Sequence, residues 1–358
     1  MDNKHSQIDN QIPHSRPTLG PEEVELSVAA IRSAQIAQGK MVQKFEQAFA
    51  GRVGVGQASA TSSGTAALHV TLLAMGVGAK DEVIIPSYVC TALLNAVRYV
   101  GATPILADID PETKNLDPND VKERLTRRTK VVIVPHLFGL AADMDEFMGL
   151  DVPIIEDCAQ SVGGTYGGKR LGSFGRAAIF SFYATKVMTT GEGGMVVSNS
   201  EELIERVKDL REYDEKNDYK IRYNYKMTNI HAAMGIAQLA KLDAFIQRRR
   251  SIAKQYYQAL EGFGLRLPPK DPGHIYFRYV IGLEYDSAVL IQNLRTKGVR
   301  CAKPVYRPLH RYLYQKGYPQ TEKAWRQAIS IPIYPSLSSR DTDRVIRAFM
   351  AAHKGNGL

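Results

Sequence analysis

The sequence predicts an α/β fold: a large, mostly parallel sheet with helices on both faces, then a smaller C-terminal α+β domain. Three observations carry this expectation. From about Ala66 onward, apolar runs of strand length alternate with stretches of helical periodicity. Those runs lack the polar residue at every second place that a sheet with one wet face would show, so their strands are buried on both sides and run parallel under helices. After about residue 240 the alternation stops and prolines accumulate, at Pro304, Pro308, Pro319, Pro332 and Pro335.

In chain order, residues 66–74 read as a helix, 81–86 as a short strand, 92–100 as a helix and 104–107 as a strand. Residues 116–125 are helical, and 130–134 form a β-branched strand without polar relief. Residues 153–155 add another strand, and 177–182 with 195–197 continue the sheet around a Gly-rich connection. Over 237–260, Leu239, Leu242, Phe245 and Ile246 recur at three- and four-residue steps, which predicts a helix. Residues 276–283 alternate as a strand, with helices near 287–297 and 341–353. The expected organisation is a polar tail over 1–15, a large domain over 16–240 and a small one over 241–358.

Composition narrows the function. A chain of 358 residues, 44% hydrophobic, buries a large core, and single cores seldom grow past about 250–300 residues. No apolar run reaches the roughly 18–20 residues that cross a bilayer. The polar start lacks the apolar stretch of a signal peptide, so a cytoplasmic protein is expected. Cys90, Cys158 and Cys301 are too widely spaced for a metal pattern and suit a reducing compartment. The net charge of +9 raises a nucleic-acid reading. Its one dense basic run, Arg248-Arg249-Arg250, lies in the 237–260 helix and reads as a solvated face. No nucleic-acid motif accompanies it, so the excess charge is assigned to a small anionic substrate.

Four segments carry chemistry. Ser62-Ser63-Gly64-Thr65-Ala66-Ala67-Leu68 is a small-residue turn opening into a helix, where bare amides and the helix dipole suit a phosphate; an ordinary Ser/Thr cap is the plain alternative. Glu156-Asp157-Cys158-Ala159-Gln160 follows a strand, and carboxylates at that end of a parallel sheet face the ligand crevice. Such an aspartate could hold a metal, act as a base, pair with a cationic ring nitrogen, or merely cap the next helix. Lys186 lies in the apolar, small-residue stretch 181–194, where burial favours its neutral, nucleophilic amine. Arg222-Tyr223-Asn224-Tyr225-Lys226 sets two aromatics around an amide, with a basic residue on each side. By contrast, Gly163-Gly164-Thr165-Tyr166-Gly167-Gly168-Lys169 imitates a phosphate loop, but Arg170 stands where the Mg²⁺-binding hydroxyl belongs.

Together these segments resemble the DegT/DnrJ/EryC1/StrS family of sugar aminotransferases, a branch of the fold-type I pyridoxal phosphate enzymes. The likeness runs from about Pro17 to about Leu337. It includes the opening Pro17-Thr18-Leu19-Gly20-Pro21-Glu22-Glu23 and His136-Leu137-Phe138-Gly139 with Asp143. The resemblance implies that Lys186 carries pyridoxal 5′-phosphate as a Schiff base. It implies that Asp157 pairs with the ring nitrogen and Gln160 meets the phenolic oxygen. Gly64, Thr65 and Ser181 would hold the phosphate, and Asn224 would reach it from the partner subunit of a homodimer with shared sites. It also places His310, in Arg307-Pro308-Leu309-His310, on the substrate side, where a satisfied structural histidine is an equal alternative. Three positions depart from the family pattern. Cys90 occupies the slot of the aromatic that stacks on the cofactor ring, so either the thiol packs there or Tyr88 or Tyr183 supplies the ring. Lys226 replaces an arginine on the substrate side, and an ammonium lacks the bidentate fork. Arg222 stands where glycine is common.

The implied reaction moves an amino group from L-glutamate, or glutamine, to a keto sugar such as a nucleotide-linked 3- or 4-keto hexose. A cyclitol ketone is an alternative acceptor. A sugar dehydratase of the same family is the alternative activity, and Lys186 argues against it, because those relatives typically carry histidine at that place.

Overall fold

The computed structural model describes residues 11–354; residues 1–10 of the expected polar tail lie outside them. Strands β1 (Gln57–Thr61), β2 (Glu82–Pro86), β3 (Thr103–Ala107), β4 (Thr129–Pro135) and β5 (Ile154–Asp157) enter the central sheet first. A short hairpin, β6 (Thr165–Tyr166) and β7 (Lys169–Arg170), precedes β8 (Ala177–Ser181) and β9 (Gly194–Ser198). The sheet order is β1-β9-β8-β5-β4-β2-β3. From β3 across to β8 all neighbours run parallel, whereas β9 is antiparallel to both β8 and β1. Val131, Val132, Ile133 and Val134 are all fully buried, which is why β4 shows no alternation.

Each face of the sheet has its own core. On one, Leu68, Val97 and Val207 of helices Gly64–Ala74, Thr91–Tyr99 and Glu201–Leu210 meet Ile133 and Val196. On the other, Phe49 of helix Lys40–Val53 and Leu242 of helix Asn229–Leu260 meet Ala178, Phe180 and Val197. The β6–β7 hairpin accounts for the phosphate-loop look-alike. Gly167 and Gly168 take φ of +55° and +81°, the pair of positive angles that a tight hairpin turn needs.

The 32-residue helix Asn229–Leu260 runs unbroken through residue 240, where the domain division was expected. What changes along it is the packing partner. Ala232 and Leu242 face the large sheet, while Ile252 and Tyr256 face the small unit. This corrects the expectation of a solvated arginine face. Arg249 is buried, and its Nη1 donates to the carbonyl oxygens of Tyr276, Phe277 and Ile333. Arg248 donates to Leu337 O and Arg250 to Pro272 O. A helix passing between two units has little free face, and the long side chains staple the chain ends that meet it.

The small unit pairs β10 (Tyr279–Gly282) with β11 (Ala328–Ile331), antiparallel, under helices Ser287–Thr296 and Ser339–Lys354. The strand expected over 276–283 is shorter because its first residues belong to the large domain. Ile275 N and Arg278 N donate to Gly139 O and Phe138 O, and Tyr276 takes φ +52°. Ile12 is buried and bridges Val299, so the described residues of the tail are packed. No helix among the described residues is long and apolar enough to cross a membrane.

Candidate active site

Successive side chains of a strand point to opposite faces, and the end of β5 uses this to set two carboxylates to different tasks. Glu156 is fully buried and accepts from the amides of Gly172, Phe174 and Gly175 and from the His136 ring. Ala142 N donates to His136 Nδ1, so the ring proton sits on Nε2, facing Glu156. Burial alone would push the Glu156 pKa up, but the histidine and the amides of Gly175 and Gly172 hold it below the usual carboxylate range. Glu156 is structural. Asp157 turns the other way and accepts only from Ala159 N, at 2.9 Å, with its second oxygen unpartnered among the described residues. Burial raises its pKa, with Ala159 N–H, Lys186 and His136 acting against the rise. A buried carboxylate so sparsely supplied is suited to a cationic partner.

The anion turn comes from β1. Ser63 caps helix Gly64–Ala74 by accepting from Ala66 N, which leaves the Gly64 and Thr65 amides unpaired among the described residues. Ser181, at the end of β8, closes the other side. A Cβ on Gly64 would lie 2.8 Å from Ser181 Cβ, so only glycine fits there. The β8–β9 connection folds back sharply through Lys186 N to Tyr183 O, Phe182 N to Gly193 O and Thr190 N to Phe182 O. It presents the Lys186 amine 5.6 Å from the Phe277 ring centroid. Burial depresses the lysine pKa; Cys90 and Asp157 oppose the shift and Arg278 adds to it. The amine thus lies within electrostatic reach of the Asp157 carboxylate and the Cys90 thiol.

Gln160 accepts from Phe138 N at 2.8 Å, which assigns its carbonyl oxygen to that contact and leaves its NH₂ as a donor. Cys90 is exposed at the start of helix Thr91–Tyr99. Tyr88 is fully buried against Phe138, so it is a core residue and no candidate for ring stacking. Tyr183 is 47% exposed and remains one.

The other expected site residues do not join Lys186 within one chain. Asn224 is exposed, although its neighbour Tyr225 accepts from Ser62 N at 2.7 Å, beside the anion turn. Lys226 pairs with Asp214, and Arg222 with Asp209 and Asp218. His310 is buried with both ring nitrogens engaged, each at 2.6 Å, by Ser87 Oγ and Glu322 Oε1. It links the 304–318 segment to the end of β2. A cavity of about 1310 Å³ opens beside it among Arg307, Arg311 and Lys323 and has no wall from Lys186 or Asp157. Phe277 and Arg278 lie near Lys186, with His14 against Arg278, and none of the three carries a local signature in the sequence.

A model of the DegT/DnrJ/EryC1/StrS aminotransferase family matches residues 17–350. GDP-perosamine synthases of Caulobacter vibrioides and Escherichia coli O157:H7 are each 37% identical to this chain. The first alignment covers 94% of this chain and 97% of the relative, the second 92% and 94%. The solved structure of Spr1654 from Streptococcus pneumoniae, in its PMP-form, matches with a TM-score of 0.92 at 26% identity, over 96% of this chain and 98% of that one.

Proposed function

The chain belongs to the DegT/DnrJ/EryC1/StrS aminotransferase family, and we propose that it moves an amino group from L-glutamate, or glutamine, to a nucleotide-linked 3- or 4-keto hexose. It is a pyridoxal phosphate-dependent sugar aminotransferase, and its residues fit that cofactor. Two unpaired helix amides and the Ser181 hydroxyl suit the phosphate, and the half-satisfied Asp157 suits a cationic ring nitrogen. The observation that carries the reading is Lys186, an amine of lowered pKa in the same cleft as that carboxylate.

When bound, the cofactor supplies a carbonyl carbon that takes up amines and a cationic ring that delocalises the charge left by a departing Cα proton. Asp157 keeps the ring nitrogen protonated by a charge-assisted hydrogen bond. Lys186 would anchor the cofactor at its carbonyl carbon, and its free amine would take the donor's Cα proton as general base and deliver it to that same carbon as general acid. Gln160 donates to the phenolic oxygen, while Gly64, Thr65 and Ser181 fix the phosphate. Donor and acceptor use the same groups in opposite directions: glutamate leaves as 2-oxoglutarate, and the sugar ketone leaves as an amine.

The GDP-linked product named for the two relatives supports a nucleotide-linked acceptor, and the +9 net charge favours its phosphates. Lys226 and His310 are the proposed substrate-side residues, with His310 acting through the segment it ties to Ser87. Asn224 is assigned to the phosphate of a second copy in a homodimer; Tyr219 and Ile221, exposed beside it, are apolar surface such a partner would cover. The three free cysteines support a cytoplasmic setting.

The test is direct. Purified enzyme given L-glutamate, or glutamine, without sugar should release the matching 2-oxo acid once per active site. Subsequent addition of a GDP-linked 4-keto hexose should yield an amino sugar by mass spectrometry. No 2-oxo acid from either donor would defeat the reading.

A further inference from the structure

We infer that Arg278 is the carboxylate anchor for the amino donor, with His14 fixing its orientation. The inference deepens the transamination reading and rests on it. Two arginines in this part of the molecule differ in their setting: Arg249 is buried and Arg278 is half-buried. Arg249 donates Nη1 to three carbonyl oxygens, with its buried Nε left unpartnered among the described residues. Arg278 donates Nη1 to one imidazole, 2.6 Å from His14 Nδ1, and its Nε and Nη2 find no partner among the described residues. Burial and then the arginine itself push the His14 pKa down to about 3, so the ring is neutral; its Nε2 meets Ser330 Oγ at 2.9 Å. No carboxylate among the described residues pairs with Arg278, and burial pulls its own pKa down to about 10. A half-buried guanidinium with unpartnered N–H groups still has charge-assisted hydrogen bonds to give, and a ligand carboxylate is the group that matches its fork.

The location identifies that ligand. Arg278 Cζ lies 5.0 Å and Lys186 Nζ 5.6 Å from the centroid of the same Phe277 ring. Arg278 N donates to Phe138 O, and Phe138 N donates to Gln160, so the arginine is locked to the turn that orients Gln160. A cavity of about 330 Å³ opens beside Arg278, bordered by Phe138 and His274. A planar, two-pronged cation close to the amine that moves Cα protons matches an α-amino acid. A carboxylate seated on the fork would leave its Cα directed toward Lys186.

The experiment separates the two half-reactions in the cofactor-loaded enzyme. For Arg278→Gln, the donor half-reaction with L-glutamate should slow on the order of 10–100-fold in kcat/KM, the value of hydrogen bonds to a charged group. Calorimetric binding of glutarate, an unreactive dicarboxylate, should weaken in parallel. Reaction of the amine-loaded enzyme with the keto sugar should keep its rate. If Arg278→Gln fails to fold, Arg278→Lys decides, with a loss of about tenfold in the donor half expected because the fork is gone. His14→Gln should keep the donor half-reaction, whereas His14→Phe should raise KM for glutamate more than it lowers kcat. Unchanged glutamate kinetics and glutarate affinity in an Arg278 variant would overturn the assignment and leave transamination standing. A loss confined to the sugar half would move Arg278 to an acceptor phosphate and equally overturn it. Wild-type enzyme that takes up the cofactor yet reacts with neither glutamate nor glutamine would overturn both readings.

Discussion

The two walls of the cleft are held in place by different means. The large-sheet wall, with Gly64, Asp157, Ser181 and Lys186, is set at the ends of β1, β5 and β8, where backbone pairing fixes each position. The opposite wall carries Arg278, whose guanidinium is oriented by a side-chain contact to His14, 264 residues away in sequence; outside the cleft, His310 is tied to Ser87 in the same manner, 223 residues away. A wall set by strand ends is rigid, which suits the chemistry shared by both half-reactions. A wall set by a few polar contacts changes with little effect on the sheet, which suits the choice of substrate.

The sharpest way to break this comparison is at Lys186. Lys186→Ala should lower turnover by more than the roughly 10²–10⁴-fold of acid–base catalysis, because the covalent anchor goes too; more than a tenth of wild-type activity would sink the assignment. Asp157→Asn should keep the cofactor but lower turnover at least tenfold, about 1.4 kcal/mol in the barrier. The same substitution should stabilise the cofactor-free protein at neutral pH. A carboxylate whose folded pKa is raised costs stability as pH climbs from its ordinary value through the raised one, and asparagine removes that cost.

Glu156→Gln should do the opposite, one residue away. Its folded pKa is lowered, so its contribution is present above the ordinary carboxylate range and lost as pH falls through the lowered value. The variant should lose about 1–3 kcal/mol at neutral pH, with the deficit narrowing in acid and the half-reactions unchanged; denaturant titrations at several pH values measure this. Gly64→Ala should weaken cofactor retention, since its Cβ would meet Ser181 Cβ at 2.8 Å, a crowding typically costing about 1–3 kcal/mol. The smallest effect belongs to the contact outside the cleft: His310→Gln should raise KM for the sugar a few-fold and spare the glutamate half-reaction, as steady-state kinetics will show.

The same contrast explains what the sequence disclosed. Buried parallel strands announce themselves because every residue is apolar, and a lysine amid small residues after β8 stands out for the same reason. The antiparallel run of β9 was not legible, since an apolar strand reads alike in either direction. Arg249 misled because periodicity reports one buried face, and the helix Asn229–Leu260 has different neighbours along its length. Arg278 and His14 could not be found by spacing: only the folded chain brings residue 14 to residue 278. His310 was legible as a position, but its double engagement by Ser87 and Glu322 depends on the tertiary fold.

The account rests first on Lys186 as the cofactor's attachment point. Borohydride reduction of the purified, cofactor-loaded enzyme, followed by peptide mass spectrometry, tests it most directly. The cofactor's mass should appear on the peptide carrying Lys186, and prior treatment with L-glutamate should abolish the labelling. Labelling of another lysine, or of none, would contradict the account.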